Sequence, residues 1–186
     1  MKEAGAETME RLAQQAQAGS RPAFSEIVRK LMPQVAALTY RITSDRDIAL
    51  DLAQDTFVSA WENIGTWRGD AGFANWVFRI ATNKALNHLR TTSRHTTLDQ
   101  LHLSEQEQLS PDPGHLFDRK ELAGQVREFM ATLPPQQRAI FELRFYKEMP
   151  FEEIAAAMER AVGTVKTGYR EAVKKLRAHA QEKGWR

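Results

Sequence analysis

The sequence predicts an all-α protein of two small helical domains joined by a flexible linker, with a helix-turn-helix in the C-terminal domain. Apolar residues recur at intervals of three and four along most of the chain, and alternating strand-like runs between tight turns are absent from the sequence. A polar stretch from 91 to 114, containing Thr-Thr repeats and the run Pro111-Asp112-Pro113-Gly114, interrupts this spacing. A length of 186 residues is sufficient for two small domains.

The first domain, 1–92, carries clear helix start signals. Ser20, with a proline two positions later, is a good beginning for a helix, and Asp45 can cap the next one with its side chain. A Gly-rich turn at 65–72 precedes a third run of helical spacing. These signals predict helices at about 20–43, 47–64 and 73–91.

The second domain, 118–186, follows a predicted linker at 93–117 and contains a short helix, a turn and a long helix. The short helix spans Phe151–Met158, the turn spans 159–163 with Gly163 as its flexible residue, and Thr164 is the expected N-cap of the long helix. One face of the long helix is apolar, with Val162 before it as a hydrophobic staple. The opposite face carries Lys166, Thr167, Arg170, Lys174 and Arg177. Such a helix is suited to the major groove of DNA.

The charge distribution is more informative than the net charge of +2. Residues 68–94 carry a net charge of +4 and residues 160–186 a net charge of +6, whereas residues 40–63 carry −3. Basic segments favour phosphate backbones, and acidic segments favour basic protein surfaces. The distribution therefore predicts separate surfaces for nucleic acid and for protein.

Several function classes are disfavoured by composition. The chain has no cysteine, which excludes disulfides, thiolate metal sites and thiol nucleophiles and fits a cytoplasmic protein. No apolar stretch is long enough to insert in a membrane. The five histidines are scattered, and no nucleophile–base pairing or phosphate-binding loop is evident. We therefore expect neither an enzyme nor a protein with a cofactor or a metal.

One face of the second predicted helix mixes acidic and apolar side chains. The helix predicted at about 47–64 is labelled α3, and this face, called the α3 strip, consists of Asp51, Gln54, Asp55, Val58 and Glu62. Such a mixture is unsuited to nucleic acid because carboxylates repel phosphates. It is a reasonable surface for docking on another protein.

The aromatic residues around the Gly-rich turn suggest a site for an unpaired base. Trp67 and Phe73 flank the turn, and we expect them to stack a base, whereas Trp61 and Trp76 are expected to pack inside the protein. The helix that follows carries polar and basic side chains that could hold the nucleic-acid backbone. The candidate DNA-binding residues are Trp67, Arg68, Phe73, Arg79, Asn83, Asn87 and Arg90.

Several motifs in the expected order resemble those of bacterial sigma factors. The stretch 51–61, DLAQDTFVSAW, and the stretch 73–83, FANWVFRIATN, resemble two consecutive segments of that family. The stretches FEEIA at 151–155 and VGTVK at 162–166 resemble its helix-turn-helix. The short chain is similar to the two-domain extracytoplasmic-function group of the sigma-70 family.

This resemblance implies a stress-responsive transcription initiation factor that binds core RNA polymerase and is restrained by an anti-sigma factor. The α3 strip would dock on polymerase, and the Trp67–Arg90 segment would bind and melt the minus-ten element. The long C-terminal helix would bind the duplex minus-thirty-five element through Thr164, Lys166, Thr167, Arg170 and Lys174. Gly168 stands where the family usually has arginine, so Lys166 and Arg170 are the stronger candidates for DNA contact.

Three other classes of function remain open from the residues alone. A stand-alone helix-turn-helix regulator would explain the basic C-terminal segment but would leave the α3 strip and the aromatic turn without a role. A helical adaptor that contacts only protein is disfavoured by the +6 segment. An enzyme lacks a recognisable catalytic constellation.

Overall fold

The structure, a computed structural model, describes residues 2–95, 126 and 128–184. All regular structure in these residues is helical, which confirms the predicted all-α class. The first half contains α1 (Lys2–Gln17), α2 (Arg21–Thr43), α3 (Arg46–Asn63), a 3-10 turn (Ile64–Thr66) and α4 (Phe73–His95). In the second half, helical residues 128–132 precede α5 (Pro135–Phe141), a π-helical turn (Glu142–Tyr146), α6 (Phe151–Met158) and α7 (Val162–Glu182).

The helix starts in the first half follow the predicted caps. The Ser20 Oγ accepts a hydrogen bond from the Ala23 N–H at 3.3 Å, and the Asp45 Oδ1 accepts one from the Ile48 N–H at 3.0 Å. α4 continues to His95, four residues beyond its expected end. The first residues of the predicted linker, 93–95, are therefore helical, and its remainder, 96–117, lies outside the described residues.

The start of α7 differs from the prediction. The helix begins at Val162, and its N-cap position is Ala161, which provides no side-chain cap. Thr164 therefore lies within the first turn and is not the N-cap. Val162 is the first helical residue and does not act as a hydrophobic staple preceding the helix. The left-handed residue of the turn is Glu159, with φ of 54°, and not Gly163. The Glu159 N–H bonds back to the end of α6, so the chain reverses within three residues and α7 starts three residues earlier than expected.

The two halves pack against each other. α2 and α4 of the first half contact α5, and α4 also contacts α6. One cluster of buried apolar side chains includes Ile42 and Phe78 from the first half and Ile140 and Ile154 from the second. Burial of apolar surface between the halves therefore contributes to the stability of both.

A buried arginine joins the halves. The Arg138 guanidinium, on α5, donates hydrogen bonds to the backbone oxygens of Arg41 and Ile42 and to the Ser44 Oγ, at 3.4, 3.0 and 2.7 Å. These acceptors lie at the C-terminus of α2, where backbone carbonyls lack helical partners and favour a cation. The same guanidinium also donates to the backbone oxygens of Ala131 and Leu133 in the second half.

Two further charged groups lie at this junction. Glu142 has no exposed surface and accepts a hydrogen bond from the Arg41 Nε at 2.8 Å, while burial raises the pKa of its carboxyl. The Lys147 Nζ lies 3.1 Å from the Gln34 Oε1 and 4.3 Å from the centre of the Phe78 ring. Burial, with the nearby Arg41 charge adding to it, lowers the pKa of Lys147 to about 8.

The lowered pKa of Lys147 predicts a rise in stability with pH. Between pH 8 and the ordinary lysine pKa of about 10.5 the unfolded chain binds more protons at this residue than the folded chain, so the free energy of unfolding increases as pH rises. We expect Lys147→Met to remove this increase, which chemical denaturation at pH 7.5 to 9.5 would measure. The matched control is Lys30→Met on α2. Parallel pH profiles for the native protein and Lys147→Met would contradict the prediction.

Candidate nucleic-acid and protein interfaces

The α3 strip is exposed along its whole length. Asp51, Gln54, Asp55, Val58 and Glu62 all lie on the open face of α3. Val58 is 57% exposed, a large value for an apolar side chain in the middle of a helix. The strip therefore presents carboxylates around an uncovered apolar centre, as the sequence analysis predicts.

The strip borders a groove of about 370 Å³ between α2 and α3. Its lining, called the α3 groove, consists of Phe24, Met32, Gln54, Phe57, Val58, Trp61 and Glu62. The rings of Phe24 and Trp61 meet at 4.9 Å and form its aromatic wall. Sequence reasoning missed Phe24 and Met32, because their i, i+8 spacing on α2 is equally typical of core residues.

The polar residues of α4 form a second open face. Arg79, Asn83, Asn87 and Arg90 recur at helical spacing, and the structure leaves all four at least partly exposed. We call this set the basic face of α4. The buried side chains Val77, Ala81 and Ala85 lie on the inner side of the same helix and hold it against the core. The basic face is thus presented on a rigid element.

Trp67 and Phe73 are core residues, and this corrects the prediction that they stack a base. Trp67 is 8% exposed and Phe73 has no exposed surface. Their rings meet edge to face at 5.2 Å, and the Trp67 Nε1 donates a hydrogen bond to the Ala71 backbone oxygen. Trp61 and Trp76 pack against other rings, as expected.

The loop that these two aromatic residues support is itself exposed. Arg68, Gly69 and Asp70 form its tip, and Gly69 adopts φ of +82°, which favours glycine. Residues 64–72 are called the α3–α4 loop below. Of the predicted base-binding residues at this end of the site, Arg68 alone remains on the surface.

α7 presents the predicted polar side chains on its open face. Thr164, Thr167, Arg170 and Lys174 are exposed, and Lys166 is partly buried beside α6, with its Nζ 3.5 Å from the Glu152 Oε1. A backbone hydrogen bond and the Lys166 charge hold the pKa of Glu152 below its usual value. The opposite face of α7 packs through Val165 and Ala172. The five polar residues on the open side, Thr164, Lys166, Thr167, Arg170 and Lys174, are called the DNA face of α7.

Gly168 faces the protein interior. A Cβ atom on this residue would lie 2.8 Å from the Cδ1 of Ile140, closer than a relaxed contact allows. α5 and α7 therefore approach each other closely at this point. Glycine costs a helix about 1 kcal/mol relative to alanine, and an alanine at 168 would require the terminal methyl group of Ile140 to move.

The described residues contain no group of three or more His, Asp or Glu side chains arranged to hold a metal ion. Within the same residues, no helix is both long enough and apolar enough to span a membrane.

Two family models match the chain in the order of its two halves. Residues 27–95 match the model for Sigma-70 region 2, and residues 123–176 match the model for Sigma-70, region 4. The first match covers the α3 strip and the basic face of α4, and the second covers the helix-turn-helix and the DNA face of α7. The two matches place the chain in the class of transcription factors.

Curated relatives identify the family. The chain is 31% identical over 166 residues to the RNA polymerase sigma-H factor of Pseudomonas aeruginosa, covering 85% of this chain and 86% of that protein. It is 30% identical over 164 residues to the ECF RNA polymerase sigma-E factor of Escherichia coli, covering 84% and 85%. The chain belongs to the sigma-70 family of RNA polymerase sigma factors, in its extracytoplasmic-function group. It binds core RNA polymerase and directs promoter-specific initiation of transcription.

Solved structures share the fold. CnrH, in complex with the cytosolic domain of CnrY, matches with a TM-score of 0.66 at 25% identity and covers 94% of this chain and 98% of that one. The sigma factor RpoE from Bartonella quintana, in complex with the anti-sigma factor NepR, matches with a TM-score of 0.70 at 22% identity. That match covers 85% of this chain and 96% of that one.

Proposed function

We propose that three separate surfaces of this sigma factor carry out its three binding tasks. The α3 strip and α3 groove dock on core polymerase, the basic face of α4 with Arg68 binds the unpaired minus-ten strand, and the DNA face of α7 binds the duplex minus-thirty-five element. The observation that carries this assignment is the separation of one acidic, apolar face from two basic faces, all of them exposed.

The α3 groove has the chemistry of a protein interface. An apolar floor and aromatic wall, rimmed by Asp51, Asp55 and Glu62, would bury an apolar contact inside a ring of carboxylates. Such a rim favours a basic partner surface and repels DNA. The apolar centre supplies affinity, and the carboxylates supply orientation.

The basic face of α4 fits a single strand better than a duplex. Its two arginines suit phosphates, and its two asparagines can donate to and accept from unpaired base edges. Because Trp67 and Phe73 are buried, we assign strand binding to hydrogen bonds and charge rather than to stacking on these rings. We propose that the chain acts through binding and carries no catalytic residue.

The DNA face of α7 predicts a defined salt dependence. Each phosphate contact made by Arg170 or Lys174 releases condensed counterions. Its removal should therefore reduce the magnitude of the negative slope of log K against log salt by about 0.9. We expect Arg170→Ala and Lys174→Ala, each assembled with core polymerase, to bind a minus-thirty-five duplex more weakly and with this shallower slope. Fluorescence anisotropy over a salt series would measure both quantities.

Lys175→Ala is the matched control for this experiment. The Lys175 Nζ lies 2.9 Å from the Gln137 Oε1 on α5, so this lysine is directed to the protein and away from the DNA face. Its removal should leave the slope unchanged. A slope that changed equally in all three variants would refute the assignment of the DNA face.

We also propose that the protein works in the cytoplasm and is held inactive by an anti-sigma partner. The proposal is supported by the family and by CnrH, a similar chain solved with a bound partner domain. The α3 groove offers such a partner an apolar surface that polymerase also needs, so a competitor there would block initiation.

A further inference from the structure

α1 is an integral part of the first half, although it precedes the stretch matched by the region 2 model, which begins at residue 27. Its buried side chains Met9, Ala13 and Ala16 belong to the same core as α2 and α4. The polar side chains of α1 that face the rest of the protein are therefore held in place. Two of them meet the α3–α4 loop.

Gln17, the last residue of α1, holds the start of the loop. Its Nε2 donates hydrogen bonds to the backbone oxygens of Ile64, at 2.9 Å, and Trp67, at 2.8 Å. One amide group thus connects the carbonyl of the first residue of the 3-10 turn with the carbonyl of the residue that follows the turn. Both acceptors lie about 50 positions away in the sequence, so these bonds fix the loop to another helix.

Glu10 holds the end of the loop. Its Oε1 accepts a hydrogen bond from the Phe73 N–H, the first residue of α4, at 3.0 Å. Backbone N–H groups at a helix N-terminus lack helical partners and favour a negative charge, so this carboxylate caps α4 from a different helix. The Glu10 Oε2 is buried without a hydrogen-bond partner among the described residues. This carboxyl group therefore has no other hydrogen-bonding role in this part of the protein.

The exposed tip of the loop lies between these two attachments. Arg68, Gly69 and Asp70 stand out from a segment whose first and last backbone groups are bonded to α1. The bond from the Trp67 Nε1 to the Ala71 oxygen closes the loop internally. A loop fixed in this way presents Arg68, and the first turn of α4, in one conformation before any ligand arrives.

We propose that Gln17 and Glu10 are positioning residues for the unpaired minus-ten strand. By fixing the α3–α4 loop in advance they remove the entropy cost of ordering it on binding. The inference rests on the proposed function of Arg68 and the basic face of α4. It adds α1 to the machinery that opens the promoter, without placing α1 in contact with DNA.

The test uses the full-length protein assembled with core polymerase and a promoter fragment selected from random-sequence DNA by the native holoenzyme. Two probes are made from that fragment: one with the minus-ten stretch unpaired as a bubble, and a short duplex with only the upstream element. We expect Gln17→Ala combined with Glu10→Ala to weaken bubble binding about tenfold, with core affinity and upstream-duplex affinity unchanged. Glu10→Gln should retain most of the affinity, because its amide oxygen still accepts from the Phe73 N–H.

The outcomes separate this inference from the proposed function. Arg79→Ala removes a residue of the basic face itself, and it should weaken bubble binding whether or not α1 has a positioning role. If Arg79→Ala weakens bubble binding and the α1 double variant does not, the positioning role is refuted and the basic face stands. If neither change matters, both are refuted. Should the double variant be unstable, Gln17→Ala alone, at an exposed residue, provides the same comparison. Equal losses of affinity for the bubble and for the upstream duplex would show only a general structural effect and would refute the positioning role.

Discussion

Arg138→Met should lower the free energy of unfolding by about 3–5 kcal/mol, because several acceptors at the junction lose their donor together and each buried unsatisfied group costs about 1–3 kcal/mol. The substitution leaves backbone oxygens at the end of α2 and around Leu133 without donors. It also removes a positive charge near Glu142, whose Oε1 is buried with no hydrogen-bond partner in the described part of the chain. Urea denaturation at constant pH would measure the change.

Two controls define the result for Arg138. Gln136→Met alters an exposed residue of the same helix and should change stability by less than about 0.5 kcal/mol. Arg138→Lys should recover only part of the loss, since one ammonium group cannot reach acceptors on both sides of the guanidinium. Tryptophan fluorescence would report mainly on the first half, which holds three of the four tryptophans. A loss below 1 kcal/mol for Arg138→Met would contradict the joining of the halves through this residue.

Val58→Lys should weaken binding to core polymerase about 100-fold, equivalent to about 2.7 kcal/mol. The change removes the exposed apolar centre of the α3 strip and places a positive charge among carboxylates that are assigned to a basic partner. Because Val58 is mostly exposed, the variant should fold with nearly native stability. Competition between labelled native protein and the variant for core polymerase would measure the loss.

Gln14→Lys is the matched control for Val58→Lys. It introduces the same charge at an exposed position of α1, away from the α3 groove. Equal polymerase affinities for Val58→Lys and the native protein would show that the α3 strip is not part of the docking surface. Asp55→Ala should show a smaller loss in the same assay, because a charge at the rim contributes orientation more than affinity.

The helices and their open faces follow directly from the sequence because they depend on local spacing. Ser20 and Asp45 cap their helices with their own side chains, so nearby residues suffice to predict these starts. The α3 strip and four of the five residues of the DNA face of α7 are exposed as expected, since side chains at helical spacing share one side of the helix. Their predicted binding roles stay predictions until the experiments above are done.

The packing of the halves and the burial of Trp67 depend on contacts between distant residues. Arg41 and Glu142 are 101 positions apart, and no local pattern distinguishes Glu142 from an exposed glutamate. The Gly-rich turn beside Trp67 and Phe73 suggests exposed aromatic rings. In the structure the two rings pack edge to face inside the protein, and the Trp67 Nε1 donates a hydrogen bond to the Ala71 backbone oxygen. The usual residue preferences favour Thr164 as the cap of α7, but a left-handed Glu159 shortens the preceding turn, so the helix begins at Val162.

The close approach of α5 and α7 has a consequence for how this chain can evolve. With glycine at 168, the terminal methyl group of Ile140 occupies the space that a Cβ would fill, so a larger residue at 168 requires this flexible side chain to turn aside. A relative that carries arginine in place of Gly168 should hold the residue at 140 in a different side-chain conformation, or should carry a smaller residue there. In an aligned set of sequences, residues smaller than isoleucine should therefore be more frequent at position 140 where position 168 is larger than glycine.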